Sequence, residues 1–530
     1  MLRRVPKGSP ELLSEAEMPW EWGCEESERF IVALTPCESR EKQRDRSQNR
    51  CLEGPVSNRQ SKIGVGQLSF TFSLPMEDEK DEAQGTQYNG SAESQTAPQP
   101  RSKPVRKLKW HSLYYKVYAL SNLTKAWQTV AENDGAPGID RITVQQFGKN
   151  AEDRLRELSL DLRQKTYRPV PVRRVFIPKG AGGTRPLGIP TIRDRIVQQA
   201  LRQILEPIFE GIFSVRSHGF RPERGCSTAL QVVDKAIRHG YSWVVDADIA
   251  SFFDTVDHEK LLSAINEEVA DGSILRLIRY ILKAGVQLPD ISRTEPTELG
   301  TPQGGPISPL LANIYLHAFD KAITMAGFGL VRYADDFVIF TKSEDEAHSA
   351  LLASREILEG QLGLMLHPEK TRVVSVSTGF EFLGFRYFRY EKTGVQCKMV
   401  RSKSVARFRD AVRKRTPRLI TQRAVKRRHV TFARLKRNQR VTEIIRKLND
   451  FMRGWHWYFK HIDVPFQEPF KHLDKYLRGR VRSSIVGRVG SGWWNSTITN
   501  EMLANLGLIW PGELQRIYRQ HNLGAPFRKE

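Results

Sequence analysis

Apolar positions recur at helical spacing through "LSNLTKAWQTVAEN" (120–133), and again through "RLRELSLDLRQKTY" (154–167) after the Gly/Pro loop and helix start of "NDGAPGIDRITVQQF". The beat then changes. "RRVFIPK" (173–179) reads as a strand, "GAGGTRPLG" (180–188) as a flexible hairpin loop, and "TIRDRIVQQALRQILEPIFE" (191–210) as a long amphipathic helix. Two β-rich runs, "SWVVDADI" (242–249) and "VRYADDFVIF" (331–340), read as strands set among helices. There is no regular βαβ beat, which predicts an α+β fold rather than a doubly wound sheet.

Both strand-like runs carry carboxylates. Asp335 and Asp336 fall between "LVRY" and "FVIF", which suits a hairpin whose tight turn lifts them to a sheet edge, and Asp248 closes the β-branched run before a helical start. An Asp-Asp pair between strands is most often only a polar turn, and the third acid changes that balance. Adjacent strands would bring Asp248, Asp335 and Asp336 to one cation-sized space, where unpaired carboxylates repel. Hard oxygen ligands favour Mg²⁺, and two such ions support displacement at phosphorus, so the implied chemistry is phosphoryl or nucleotidyl transfer.

Charge narrows the partner. Lys and Arg number 83 against 60 Asp and Glu, a formal +23 over 530 residues, which favours a polyanion. The excess is clustered: each block of ten from 401 to 440 holds four Lys or Arg, against the single acid Asp410. Helical segments at 441–462 and 470–489 follow, so the last third reads as a helical, basic region. Arg413, Lys414, Arg415, Lys426, Arg427, Arg428, Lys436 and Arg437 are candidates for nucleic-acid phosphate contacts, and Trp455, Trp457 and Tyr458 would either stack bases or form core.

The first 104 residues include "EDEKDEAQGTQYNGSAESQTAPQPRSKP", too poor in apolar residues to offset ordering entropy, and are expected to be a disordered extension. Within it "QLSFTFSL" (67–74) reads as an inert tail, a lone strand or a docking peptide. Five dispersed cysteines argue against a zinc ribbon and a secreted disulfide framework, and fit a reducing compartment. The expected location is the cytoplasm of a bacterium, near the nucleoid; the start reads poorly as a targeting peptide, and no apolar run is long enough to suggest a membrane partner.

"YADD" (333–336) resembles the active-site signature of reverse transcriptases, and the surrounding order resembles the group II intron-encoded reverse transcriptase/maturase family. The blocks that carry the likeness are "GAPGIDRITV" (135–144), "IPKGAGGTRPLGIPTIRDRIVQQA" (177–200), "SHGFRPERGCSTAL" (217–230), "DADIASFFDTVDH" (246–258), "GTPQGGPISPLLANIYLH" (300–317), "LHPEKT" (366–371), "FEFLGF" (380–385) and "LNDFMRGWHWYF" (448–459). It implies a right-hand polymerase, with fingers and palm over 105–395, a helical basic thumb/maturase domain over 396–485, and a C-terminal segment over 486–530 of unassigned role. The three aspartates would hold two Mg²⁺ ions. Lys179 and Arg185 would grip the incoming triphosphate, their bland reading being a solvated hairpin. Phe253 would pack under the sugar and exclude a 2′-hydroxyl, or be simple core. Gln303 would shape the nucleotide pocket, and Tyr333 and Lys370 would support the palm or merely pack and solvate.

The implied partners are structured intron RNA, an RNA template with a DNA primer, dNTPs and a DNA target. The implied function is an RNA-directed DNA polymerase that also assists splicing. Two other readings stay open: an RNA-binding splicing cofactor with little polymerase activity, and a free-standing reverse transcriptase recruited to host defence or repair. Many members carry a zinc-bound HNH endonuclease; with no cysteine after Cys397, none is expected here. The N-terminal extension does not resemble the family.

Overall fold

A computed structural model describes residues 109–178, 184–288, 294–295, 297–301, 304–389, 394–417, 431–462, 468–486 and 497–522. The expected N-terminal extension with its 67–74 segment, together with Lys179, Gln303, Lys426, Arg427 and Arg428, lies outside them.

The chain begins with helices α1 (Tyr114–Tyr118), α2 (Leu120–Glu132), α3 (Val144–Gly148) and α4 (Ala151–Arg163). Thr143 caps α3, accepting from the Gln146 N–H while the Gln146 side chain accepts from the Thr143 N–H. Strands β1 (Val172–Pro178) and β2 (Thr184–Ile189) then lead to α5 (Ile192–Glu210), whose Ile196, Val197 and Ala200 join Leu123, Ala126 and Val130 of α2 in one core. Part of the expected 180–188 loop is therefore strand: Thr184–Ile189 pairs antiparallel with β1. In the sheet order β2-β1-β4-β5, β2 is an edge, where Pro186 and its missing N–H are tolerated.

Next come α6 (Cys226–Arg238), β3 (Trp243–Asp248), α7 (Phe252–Thr255), α8 (His258–Glu268), α9 (Gly272–Leu282), β4 (Val286–Gln287), β5 (Thr294–Glu295) and α10 (Ser308–Met325). β6 (Gly329–Tyr333) and β7 (Asp336–Thr341) make the expected hairpin, followed by α11 (Glu344–Arg355) and β8 (Arg372–Ser375). The central sheet has the order β6-β7-β3-β8, with every pair antiparallel.

Its strands β3, β6 and β7 are mostly apolar because both faces are covered. Val245, Ala247, Leu330, Phe337 and Ile339 alternate onto one face, against α10 and α11. Val244, Val331, Val338 and Phe340 point to the other, against Ala229, Leu230 and Val233 of α6 and against Phe380. A one-residue slip would exchange the two sets, so burial pins the register.

The sheet β11-β10-β9 is built from β9 (Phe380–Phe382), β10 (Phe385–Arg389) and β11 (Gln396–Val400). Helices α12 (Ser402–Arg415), α13 (Phe432–Arg437), α14 (Gln439–Phe459), α15 (Glu468–Val486), α16 (Asn500–Asn505) and α17 (Pro511–Asn522) follow. Phe382 and Phe385 of this small sheet share a core with Phe408, Leu448, Trp455 and Leu473 of those helices. "FEFLGF" thus belongs to a sheet of its own beside the helices, and a boundary at 395 would cut between the paired strands β10 and β11. Leu503, Leu508 and Leu514, from the expected separate segment 486–530, fill the same core. The mixture of largely antiparallel sheets, with only β1 and β4 parallel among the described strand pairs, and a helical C-terminal region is the expected α+β class. Among the described residues no helix is long and apolar enough to cross a membrane.

Candidate active site

Asp248, the last residue of β3, pairs in register with Asp336, the first of β7. Directly opposed residues share a sheet face, with Cβ atoms about 4.5–5.5 Å apart. Asp335 sits one residue earlier, in the turn, and is 9 % exposed; its carbonyl accepts from the Ile249 N–H at 3.4 Å. Ala334, the other turn residue, has φ +57°, a left-handed conformation uncommon for a residue with a Cβ.

The Asp248 backbone is tied down as well, its carbonyl accepting from the His367 N–H at 2.8 Å. Three residues on, the Lys370 ammonium forms an ion pair with Asp248 Oδ2. Lys370 is thus joined to a site carboxylate, although its own side chain is 58 % exposed. Asp246, on the same face, is held by Arg372 through Nε at 3.0 Å and Nη2 at 2.8 Å. Burial pushes its carboxyl up to about 6, with Arg372 pulling the other way.

The nucleotide-binding candidates divide. Arg185 lies on β2 opposite Ile177. Phe253 is 9 % exposed and meets Phe252 edge to face at 5.2 Å, so core packing is part of what it does. Its carbonyl accepts from the Thr301 N–H at 2.7 Å, which ties it to the strip leading to Gln303. Beyond that residue Gly304 has φ +112°, and a Cβ there would stand 2.6 Å from the Gly188 carbonyl of β2. Glycine therefore lets the backbone at 304 pass close to β2, the strand bearing Arg185, while Thr301 is bonded to Phe253. Tyr333 is buried, 6.4 Å from Phe220 between ring centroids.

On the helical region Arg413, Lys414, Lys436 and Arg437 are exposed. Lys436 and Arg437 line a shallow hollow with Gln439 and Arg446. Arg415 departs from expectation: its guanidinium stacks over Phe451 at 4.6 Å and its Nη1 donates to the Ala411 carbonyl, so it packs rather than reaches out. Trp455 is core, against Phe408 and Phe459, and the Tyr458 hydroxyl donates to the Leu383 carbonyl at 2.7 Å.

Comparison with known proteins agrees with this layout. Residues 177–387 match the family model "Reverse transcriptase (RNA-dependent DNA polymerase)", and residues 421–495 match "Group II intron, maturase-specific domain". Protein YkfC of Escherichia coli is 35% identical over 308 residues, 50% of this chain and 80% of that protein. Group II intron-encoded protein LtrA of Lactococcus lactis is 43% identical over 201 residues, 37% of this chain and 33% of LtrA. The chain belongs to the group II intron-encoded reverse transcriptase/maturase family.

Its catalytic domain is that of an RNA-directed DNA polymerase, and its maturase-specific domain makes RNA a partner. The alignment with LtrA spans a third of that protein's length. A solved partial Cas6-RT-Cas1–Cas2 complex is 26% identical and covers 47% of this chain and 41% of that one, with a TM-score of 0.31, too loose a superposition to argue from.

Polymerases of this family use divalent metal ions, and the donor chemistry here fits them: two opposed carboxylates with a third one residue away. Among the described residues no three acidic, His or Cys side chains are already drawn into a cage. Asp248, Asp335 and Asp336 are the residues that would hold such an ion, with Lys370 already paired to Asp248. Sequence reasoning missed Arg332, Asp320 and Asn313 beneath the turn; the available signal was a charge, Arg332, inside an apolar run.

Proposed function

We propose that this reverse transcriptase/maturase extends a DNA primer on an RNA template, with Asp248, Asp335 and Asp336 as the carboxylates of a two-Mg²⁺ site, and that its basic helices hold structured intron RNA. The observation that supports this most is the Asp248–Asp336 register, which brings carboxylates from distant parts of the chain to one edge of a buried sheet. Bound Mg²⁺ would neutralise these acids, make the primer hydroxyl easier to deprotonate and stabilise the leaving oxygen at phosphorus.

The chain's own groups do the positioning. Arg185, with Lys179, would hold the triphosphate, the guanidinium as a forked donor and the ammonium as a point charge. Gln303 would border the base and sugar. Phe253, fixed through the Thr301 hydrogen bond, would limit the room at the 2′ position. Tyr333 packs behind the turn, and Lys370 holds the negative charge of Asp248 in check while no ion is bound.

The test is primer extension on an RNA template with Mg²⁺ and dNTPs. Wild type should extend, and Asp335→Ala should lose at least about 10³-fold in rate, on the scale of a lost electrostatic stabiliser, while RNA affinity stays. Binding by both proteins with extension by neither would favour a splicing cofactor instead.

A further inference from the structure

The left-handed turn that carries Asp335 rests on a buried ionic structure. Arg332 is wholly inaccessible, as is Asp320 of α10. Its Nε donates to Asp320 Oδ1 at 2.6 Å and its Nη2 to Oδ2 at 2.6 Å, a forked pair. The remaining nitrogen, Nη1, donates to the Ala334 carbonyl at 2.8 Å and to Asn313 Oδ1 at 3.2 Å. Asn313, two helical turns before Asp320, in turn donates through Nδ2 to the Gly219 carbonyl at 2.8 Å. Gly219 lies so near the turn that a Cβ there would be 2.5 Å from the Ala334 nitrogen.

Ala334 is thus held at its carbonyl by Arg332, while the backbone of Gly219 packs closely against its nitrogen. Stability alone is a poor reason for this arrangement. A fully buried ion pair recovers little more than its desolvation cost, and apolar residues of similar volume often do as well or better. What they cannot supply is a directed donor to the carbonyl of a residue at φ +57°. Arg332 also lies on the face of β6 that meets α10, while Asp336 lies on the other, so the guanidinium touches no group of the proposed metal site.

We infer that Arg332, locked by Asp320 and Asn313, is a positioning residue for catalysis: it fixes the Ala334 turn so that Asp335 and Asp336 are presented to Asp248 in the reactive arrangement. The inference rests on the polymerase reading above. A misplacement of about 1 Å can cost about 10²-fold in rate, so loosening the turn lowers kcat while the KM for dNTP and the affinity for template and primer hold.

Three variants test it: Arg332→Lys, which keeps a buried cation but not the planar fork; the neutral pair Arg332→Met with Asp320→Leu; and Asn313→Ser. Single-turnover extension, KM for dNTP, template-primer Kd and the unfolding midpoint are measured for each. Expected are a fall in kcat of about 10- to 100-fold for Arg332→Lys, with KM and Kd within about twofold, and a smaller fall for Asn313→Ser. The neutral pair should recover the wild-type unfolding midpoint without recovering kcat, which a merely structural role would not do. A folded variant of Arg332 with wild-type kcat, or a neutral pair that regains both midpoint and kcat, overturns the proposal, as does failure of all three to fold. Wild type that extends no primer overturns the polymerase reading and this proposal with it; active wild type with unchanged variants overturns this proposal alone.

Discussion

Lys370 neutralises Asp248: its ammonium pairs with the carboxylate that stands across the β3–β7 ladder from Asp336. A protein cation thus supplies part of the charge balance that a divalent ion would take over, and both would draw on the same carboxylate. Lys370→Ala should bind Mg²⁺ several-fold more tightly than wild type, read by titration calorimetry without nucleotide. Because the lysine is largely exposed, the unfolding free energy should change by no more than about 0.5 kcal/mol. Unchanged or weaker Mg²⁺ binding would mean that Lys370 plays no part in holding the site's charge.

Phe253 combines two demands. Its ring is buried beside Phe252, yet its carbonyl anchors the strip that leads to Gln303. Phe253→Ala should therefore cost about 3–5 kcal/mol as a core cavity and blur any effect on sugar choice. Phe253→Val keeps more of the packing and should raise ribonucleotide incorporation relative to deoxynucleotide. An unchanged ratio in competition assays would leave Phe253 with only its packing role.

The legible parts of the chain were those where burial and local pattern agree. "WVVDAD" and "DFVIFT" are mostly apolar except towards the sheet edge, where Asp246, Asp248 and Asp336 stand, because each face of the central sheet is covered elsewhere, and the same burial sets the pairing. That Asp248 meets Asp336 rather than a neighbour is a matter of register, which no local signal carries. β2 was hidden by its Gly and Pro content, permitted by its edge position. The change in character near 390–400 suggested a boundary at 395, but β11 pairs back onto β10 across that point. Arg332 read as one more residue of a strand, since its partners Asp320 and Asn313 come from a helix whose spacing only marks them as one face.

The basic helices separate into outward and inward cations. Arg413, Lys414, Lys436 and Arg437 face solvent, whereas Arg415 covers Phe451. Changing the four exposed residues to Ala should flatten the dependence of log Kd on log salt for intron RNA by about 3, at roughly 0.7–0.9 per lost phosphate contact. Arg415→Ala should leave that slope alone and instead destabilise the helices by about 1–2 kcal/mol through lost stacking. Filter binding at several salt concentrations, with thermal unfolding alongside, separates the two effects, and an unaltered slope in the fourfold variant would move the RNA grip elsewhere.

The C-terminal bundle holds two buried groups whose titrations oppose each other. Burial pushes Asp474 up to about 6, resisted by the Gly512 N–H and by Arg478. It pushes His456 down to about 4, with Lys460 and His461 adding to the fall and the Gln515 side chain resisting it. Folded Asp474 keeps its proton to higher pH than the unfolded chain, so its contribution is present in acid and is lost as pH rises from about 4 to 6. His456 stays neutral where the unfolded chain would be charged, so its contribution is present above 6.5 and is lost as pH falls towards about 4. Each is worth on the order of 3 kcal/mol at 1.36 kcal/mol per unit, and they offset one another between about pH 4 and 6. Asp474→Asn should make stability rise more steeply with pH across that window than in wild type, and His456→Gln less steeply. Guanidinium midpoints at intervals from pH 4 to 7 measure both slopes; parallel curves for wild type and Asp474→Asn would show that the docking of α17 through Gly512 does not depend on that proton.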